Sequence, residues 1–333
     1  MAKREKRVSR RQQARESAEQ RSQVPASGEQ GSEGHVSVLL QETIQFLNVR
    51  RGGSYADATL GLGGHSVAVA RRLGAGGTLF AFDRDAKAIA IAQSRFERLR
   101  EELADDMPEI RMFETSFSKM AEVISPGILD GLCADFGVSS LQLDDAARGF
   151  SFRAEGPLDM RMSVQEERTA DQVVNRLDEH TLAQVIYELG EERRSRRIAR
   201  AIVRARPIRS TAHLAEIVAA AAPANKRFGA GQARRPIHPA TKTFQAIRMF
   251  VNRELEEVEA LLNQAPMLLK PGGRLVAISF HSLEDRRVKD HMRQMAAEGI
   301  YEVLTKKPIT ASEQELERNS RARSAKLRCG QKR

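Results

Sequence analysis

Between Ser54 and Asp135 the chain alternates short apolar runs with helical patterns, and this alternation limits the fold more than any other feature. "YADATLG" reads as a strand, "GGHSVAVARRLG" as a helix closed by Gly74, "GTLFAFDRD" as a second strand and "AKAIAIAQSRFERLREEL" as a second helix. "IRMFETSF" and "LDGLCADFG" follow as third and fourth strands. Strands separated by helical segments imply βαβ crossovers, so the predicted core is a parallel sheet with helices on its faces. Tryptophan is absent and aromatics are 5% of the residues, while 41% are hydrophobic, which favours an α/β fold over a β-sandwich and excludes a wholly disordered chain.

The strand pattern stops after Asp135. From about Leu143 to Arg235 four helical patterns appear: around 170 to 177; Leu182, Val185, Ile186 and Leu189 before Gly190; Ile198, Ile202 and Val203 amid arginines; and Leu214, Ile217 and Val218 between the capping candidate Ser210 and Pro223. The predicted organisation is a sheet domain from 35–142 and 236–333, with an all-helical domain inserted at 143–235. A helix from Thr241 to Leu262 leads to "LLKPGGRLVAISF", where Pro271, Gly272 and Gly273 turn the chain into a fifth strand. "YEVLTKKPI" and "SAKLRCG" are two further strand candidates. Residues 1–34 are polar and end in "PASGEQGSEG", the composition of a disordered basic tail.

No apolar run approaches the roughly 20 residues that cross a bilayer, and only Cys133 and Cys329 are present, so no membrane role and a reducing cytoplasm are expected. The net charge of +10 is unevenly placed. Residues 191–240 hold twelve Lys/Arg against three Glu, and residues 301–333 nine against four, in a remainder that is acidic. Two basic blocks of this kind suit phosphate backbones, although solvated helix faces have the same composition.

Three glycines crowd the turn after the first strand, in "LGLGGHS". Gly61 and Gly63 satisfy half of a dinucleotide fingerprint, but Ser66 stands where its third glycine belongs. S-adenosylmethionine suits the remainder better: Gly61, Gly63 and Gly64 allow close backbone approach, Asp83 follows strand two at ribose position, and Asp135 follows strand four near the methyl group. Asp83 and Asp85 are also candidate helix N-caps.

"HVSVLLQETI", "DATLGLGGHS", "AFDRDAKAI", "DFGVSSLQLDDAARGFSFRAEGPLDMRM", "GEERRSRRIARAI", "HPATKTFQAIRMFVNRELEEVEALL", "LKPGGRLVAISFHSLEDRRVK" and "NSRARSAKLR" together resemble the bacterial 16S rRNA cytosine-N4 methyltransferases, the RsmH or MraW family, in order from about 35 to 328. The resemblance implies a Rossmann-like class I S-adenosylmethionine-dependent methyltransferase domain with the helical insertion, acting on one cytidine in the decoding (P-site) region of 16S rRNA, in the assembled small ribosomal subunit. Carried over by motif, the cofactor contacts are Gly63, Gly64, His65, Asp83, Phe117, Asp135 and Gln142. Phe117 would lie against the adenine or else serve as a core aromatic, and the alternative for His65 is a cap at the helix start. A metal is not expected.

A cytosine amine is a poor nucleophile, and an acceptor for one of its hydrogens both orients it and pulls it towards tetrahedral geometry. Asp135 is the expected acceptor, with Ser139 or Ser140 nearby. The run Asp135-Phe136-Gly137-Val138 keeps the acidic head of the amino-methyltransferase signature but lacks its double proline. His281 is a candidate for base contact or proton transfer, or a structural histidine. Phe150 and Phe152 beside Arg153 suit stacking of an extruded base or packing of the insertion. Arg193, Arg194, Arg196, Arg197, Arg286 and Arg287 are the expected rRNA contacts. The competing readings are amino methylation of another nucleic acid, an RNA-binding or ribosome-assembly factor with a methyltransferase fold, and, remotely, a nicotinamide oxidoreductase.

Overall fold

The computed structural model describes residues 37–223 and 238–333. The tail at 1–34 and the expected boundary at 235 lie outside the described residues. Strands β1 (Ser54–Asp57), β2 (Thr78–Asp83), β3 (Glu109–Glu114), β4 (Leu129–Asp135), β5 (Leu269–Ser279), β6 (Tyr301–Val303) and β7 (Lys326–Lys332) form one sheet in the order β3-β2-β1-β4-β5-β7-β6. The first five pair in parallel, as the crossovers require, and β7 inserts antiparallel between β5 and β6. This is the Rossmann-like order expected from the sequence. The chain goes from β1 to β2 on one side and later returns to the other side as β4, so strand order reverses at β1. Such a reversal opens a crevice at the carboxyl ends of β1 and β4.

Period-2 alternation sorts the strand residues onto two buried faces. Tyr55, Leu79, Ala81, Cys133 and Val276 pack against α1 (Leu40–Leu47), α2 (Gly64–Leu73) and α3 (Ala86–Leu103), through Leu47, Val69, Leu73, Ala92 and Phe96. Their neighbours Ala56, Phe80, Phe82, Leu132 and Ala134 face the opposite layer. The residue that caps α3 is Asp85, whose carboxylate accepts from the Lys87 amide at 3.2 Å. Asp83 is thereby left free of the capping role.

Beyond β4 the chain forms α4 (Ser140–Asp144), α5 (Ala170–Arg176), α6 (Glu179–Gly190), α7 (Ser195–Arg204) and α8 (Thr211–Ala221). Ser210 caps α8, accepting from the His213 amide. These helices have a core of their own, with Val173, Leu182, Ile186, Ile198, Ile202, Leu214 and Val218 at its centre. Phe244, Ile247 and Val251 of α9 (Thr241–Asn252) join that core, so it extends past residue 235. Phe150 is buried in it and Phe152 packs edge-on against Phe244 with centroids 4.9 Å apart, which favours the packing reading of these rings over base stacking.

Two local expectations need correction. The single helix from Thr241 to Leu262 is two helices, α9 and α10 (Glu254–Leu268), broken at Arg253, which takes φ of 51°. Tertiary bonds outweigh helix propensity there. Asn252 donates to the Met160 carbonyl and accepts from the Met162 amide, while Arg248 grips Glu254. The Pro-Gly-Gly turn lies inside β5 and not before it: Leu269 pairs with Leu129, and pairing resumes with Arg274 opposite Gly131. Residues 270–273 therefore bulge out of the ladder. The final helix facing the sheet is α11 (Ser282–Ala297), whose Val288 and Met292 join Val258, Leu261 and Leu262 of α10 on the second face. Only 301–303 of the sixth strand candidate pair as a strand, with Ile309 adding an isolated bridge to Leu327.

Gly190 sets the spacing between α6 and α9, because a Cβ there would stand 2.7 Å from the Lys242 carbonyl and 3.3 Å from the Ala246 Cβ. Gly190→Ala is expected to destabilise the protein by about 1–3 kcal/mol, the cost of overpacking a close helix contact, measured by urea unfolding.

Candidate active site

The turn after β1 is built around Asp57, a residue the sequence reading did not single out. Its carboxylate accepts from the Thr59 amide at 3.0 Å and the Ser66 hydroxyl at 2.7 Å, pinning both ends of the glycine loop to the strand. A buried acid followed by a serine nine residues on was the available signal. Gly61 and Gly63 take positive φ of 50° and 82° within this loop, conformations that side chains disfavour. Gly63 is the residue before α2, so His65 does not cap the helix. At Gly64 the constraint is space, since a Cβ would collide with the Ser37 hydroxyl.

Asp83 closes β2 facing the same loop. It accepts from the Gly61 amide at 2.8 Å and from the Asp85 amide at 2.9 Å. Burial nevertheless dominates over these two bonds and pushes its carboxyl up to about 6. The group is thus poised to accept further hydrogen bonds, which would favour its ionised form.

Asp135, at the end of β4, is positioned by its own amide donating to Thr59 Oγ1 at 2.6 Å. Its Oδ1 is buried and has no hydrogen-bond partner among the described residues. Its Oδ2 lies 3.9 Å from His65 Nδ1. Burial, with Asp57 and Glu284 adding like charge, holds this carboxyl well above the usual range. An unpartnered buried carboxyl oxygen is costly, and at the mouth of a crevice it marks a place where a ligand supplies the missing partner.

The remaining expected cofactor residues have different surroundings. Phe117, after β3, is half-buried against the second core and lies 6.1 Å from the Phe136 ring at a 54° tilt. Ser139 and Gln142 form a capping box at the start of α4, each side chain bonding the other's amide. Gln142 Nε2 also donates to Asp85 Oδ2 at 3.0 Å. Arg148 Nη1 meets that same oxygen at 2.9 Å, while its Nη2 donates to the carbonyls of Arg161 and Met162. Arg84 adds a bond to the Asn252 carbonyl at 3.1 Å. The loop after β2 is therefore tied directly to the helical segment, a linkage between distant stretches that spacing alone does not reveal.

His281 caps α11 through Nδ1, which accepts from the Glu284 amide, and its Nε2 lies 3.0 Å from Glu284 Oε1. The fold also brings Glu254 to this pair, with potential ligand atoms of the three residues within 4.8 Å. Both Glu254 oxygens are already gripped by Arg248 at 2.8 Å, and the Phe280 and His281 amides donate to Glu284 Oε2. These side chains form a closed ionic network at the junction of α9, α10 and α11, and a cation would have to displace the arginine.

Of the expected rRNA contacts, Arg193, Arg196 and Arg197 are exposed and have no side-chain partner among the described residues. Arg194 turns back onto Glu192 and the Pro223 carbonyl. Arg286 pairs with Glu191 at 3.2 Å and Arg287 with Glu259 at 2.6 Å, so both are partly neutralised. Among the described residues no helix is long and apolar enough to cross a membrane.

Residues 32–333 match the model of the MraW methylase family. The ribosomal RNA small subunit methyltransferase H of Acidobacterium capsulatum is 63% identical over 90% of this chain and 99% of its own length. The protein of the same description from Koribacter versatilis is 60% identical over 90% of this chain and 95% of its own. A solved structure described as a putative rRNA methylase from Clostridium thermocellum is similar over 90% of this chain and 100% of its own, at 14% identity and a TM-score of 0.42. So loose a structural likeness bears no weight beside the sequence matches.

Asp85 is 4% exposed and the Arg148 side chain 13%, so the pair is buried. Arg148→Met is expected to cost about 3–5 kcal/mol by leaving the carboxylate unpaired, with part of the loss recovered in the Asp85→Asn/Arg148→Met double variant, read by chemical denaturation.

Proposed function

The chain belongs to the MraW methylase family, and from that footing we propose that it methylates the N4 amine of one cytidine in the decoding region of 16S ribosomal RNA, using S-adenosylmethionine. The observation that carries the reading is the unpartnered carboxyl of Asp135 at the carboxyl end of β4, beside the point where strand order reverses. The names of the relatives, small-subunit rRNA methyltransferases over nearly their whole length, supply the substrate class.

The residues present suit this cofactor. Gly61, with nothing closer than the Thr59 carbonyl over its Cα, leaves the backbone of the first loop open to a ligand, Gly63 and Gly64 let that loop pack against Ala92 and Ser37, and the start of α2 offers amides to a carboxylate. Asp83 accepts from the vicinal ribose hydroxyls, Phe117 lines the adenine side, and the acidic pair Asp57 and Asp135 suits a cation. When bound, S-adenosylmethionine supplies an electrophilic methyl group and departs as a neutral thioether.

Asp135 has two tasks in this scheme. It accepts a hydrogen bond from the target amine, which localises the nitrogen lone pair, and it holds that nitrogen in line for attack. Ser139 and Gln142 act on it indirectly, fixing the turn after β4 through their capping box. His281 and Glu284 anchor the start of α11 beside the same crevice. The exposed Arg193, just before α7, and Arg196 and Arg197 in its first turn supply phosphate contacts, with the helical segment serving as the RNA-recognition domain. A few arginines give little sequence selectivity by themselves, so the assembled small subunit is the preferred substrate in cytoplasmic ribosome maturation.

Small subunits lacking the modification, incubated with radiolabelled S-adenosylmethionine, are expected to acquire N4-methylcytidine at one decoding-region position, identified by nucleoside mass spectrometry. Asp135→Ala is expected to reduce the rate at least 100-fold, the scale of losing one electrostatic donor or acceptor in a transition state. Label in another nucleoside would overturn the N4 assignment.

The pH dependence of cofactor binding follows from Asp83. Its carboxyl titrates at about 6 in the free protein, and ribose hydroxyls bind the ionised form. The contribution of Asp83 to affinity is therefore full above that value and falls by up to about tenfold per pH unit below it. Calorimetry from pH 7.5 to 5 is expected to show this decline, and Asp83→Asn to bind weakly without that limb.

Replacing Arg193, Arg196 and Arg197 together with alanine is expected to weaken rRNA binding and to reduce the slope of log K against log salt by about 2 to 3. Cofactor affinity stays unchanged, as a filter-binding titration alongside calorimetry would show.

A further inference from the structure

The second basic block of the sequence, 301–333, contains a run from Arg318 to Arg328 with five Lys/Arg and no acidic residue. The fold carries this run to the carboxyl edge of the parallel strands. Strand β7 begins with Lys326 opposite Ser279, the last residue of β5, and the turn at 320–324 directly precedes it. Helix α12 (Glu313–Arg318) leads into that turn.

Three of the five cations are engaged. Arg328 and Lys326 donate to the Asp285 carboxylate at 2.7 and 3.2 Å, and Arg321 donates to both oxygens of Asp144 in α4 at 2.9 and 3.0 Å. Uncharged contacts fix the turn between them: Asn319 accepts from the Arg321 amide at 3.1 Å, and Ala322 and Ala325 are buried in the core on the first face of the sheet. Arg318 and Arg323 remain, exposed and without a side-chain partner among the described residues. Two guanidinium groups on a turn already held in place lose little backbone freedom when they bind an anion.

Their place relative to the arginines of α7 follows from the first turn of α11. Ser282 and Arg286, one helical turn apart, both donate to the Glu191 carboxylate, two residues before Arg193. Asp285, on the adjacent side of the same turn, takes Arg328 and Lys326, the latter three residues after Arg323. The two sets of arginines therefore flank the start of a single helix, whose width with side chains is about 10–12 Å. His281, which caps that helix, follows the end of β5, where Ile278 pairs with Asp135.

We propose that Arg318 and Arg323 form a second phosphate-binding surface, and that the rRNA strand carrying the target base crosses the first turn of α11 between them and Arg193, Arg196 and Arg197. The proposal rests on rRNA as the substrate. Guanidinium groups bind phosphate oxygens bidentately, and sets of them on both sides of the crevice hold both flanks of one strand, which positions the base between them without reading sequence. Arg321, Lys326 and Arg328 anchor this surface to α4 and α11.

The test compares Arg318→Gln/Arg323→Gln with the parent in filter binding to small subunits lacking the modification, from about 50 to 300 mM salt. The slope of log K against log salt is expected to fall by about 1.4 to 1.8, the value for two phosphate contacts, with affinity about tenfold weaker near physiological salt. Arg318→Lys/Arg323→Lys keeps the charge and is expected to regain most of the slope. Arg50→Gln/Arg100→Gln removes the same charge at the opposite edge, where Arg50 precedes β1 and Arg100 lies beside the starts of β2 and β3, and is expected to change neither quantity. A slope equal to the parent's, or an equal loss in the Arg50/Arg100 variant, would overturn the proposal. A loss confined to assembled subunits, with the slope on protein-free 16S rRNA unchanged, would assign the turn to a ribosomal protein and also overturn it. If the parent neither binds nor methylates small subunits, the rRNA reading fails and this surface with it. A parent that does both, matched by the Arg318/Arg323 variant, fails the surface alone.

Discussion

Holding the half-buried Asp135 carboxyl at the end of β4, with Oδ1 buried and unpartnered among the described residues and no counter-charge, costs folding free energy, and the nearby Asp57 and Glu284 raise that cost. Much of the architecture can be traced to holding this group in place. Thr59 fixes its backbone, Asp57 pins the loop that carries Thr59, and Ser66 ties the same carboxylate to α2. A fold selected for stability alone would place an apolar side chain or an arginine there. The arrangement is intelligible when a ligand supplies the positive charge.

The second constraint is the attachment of the helical segment to the cofactor side of the sheet. Asp85 caps α3 and at the same time receives Gln142 and Arg148. Arg148 reaches on to the 161–162 backbone, where Asn252 takes over and leads through Arg248 to Glu254. Buried ion pairs of this sort add little net stability, yet they permit few alternative geometries. The consequence is that the loop after β2 and the start of α10 are held in one register, as a reaction between a cofactor and a large second substrate demands.

The sheet was legible because β2, β4 and the second half of β5 carry short apolar runs and the helices between the first strands, α2 and α3, an apolar stripe. Tyr55, Leu79 and Phe82 report their faces through simple alternation. The break at Arg253 was not legible, because helix-favouring residues continue through it and only the tertiary bonds of Asn252 and Glu254 end the helix. The bulge at 270–273 escaped for a related reason: Pro-Gly-Gly is equally at home in a turn and in an interruption of a ladder. Within the site, Asp83 and Asp135 stood out by their positions after strands, whereas the roles of Asp57, Asp85 and Arg148 depend on which chain segments meet. For His281, the sequence left a base contact and a structural role open, and its capping box with Glu284 gives a definite structural task.

The most direct measurement is a structure of the protein with S-adenosylhomocysteine bound. The account predicts the ribose on Asp83 and the sulfur facing the Asp135 carboxyl, in the crevice between β1 and β4. A ligand seated elsewhere, with Asp135 still lacking a neighbour in that crevice, would contradict it.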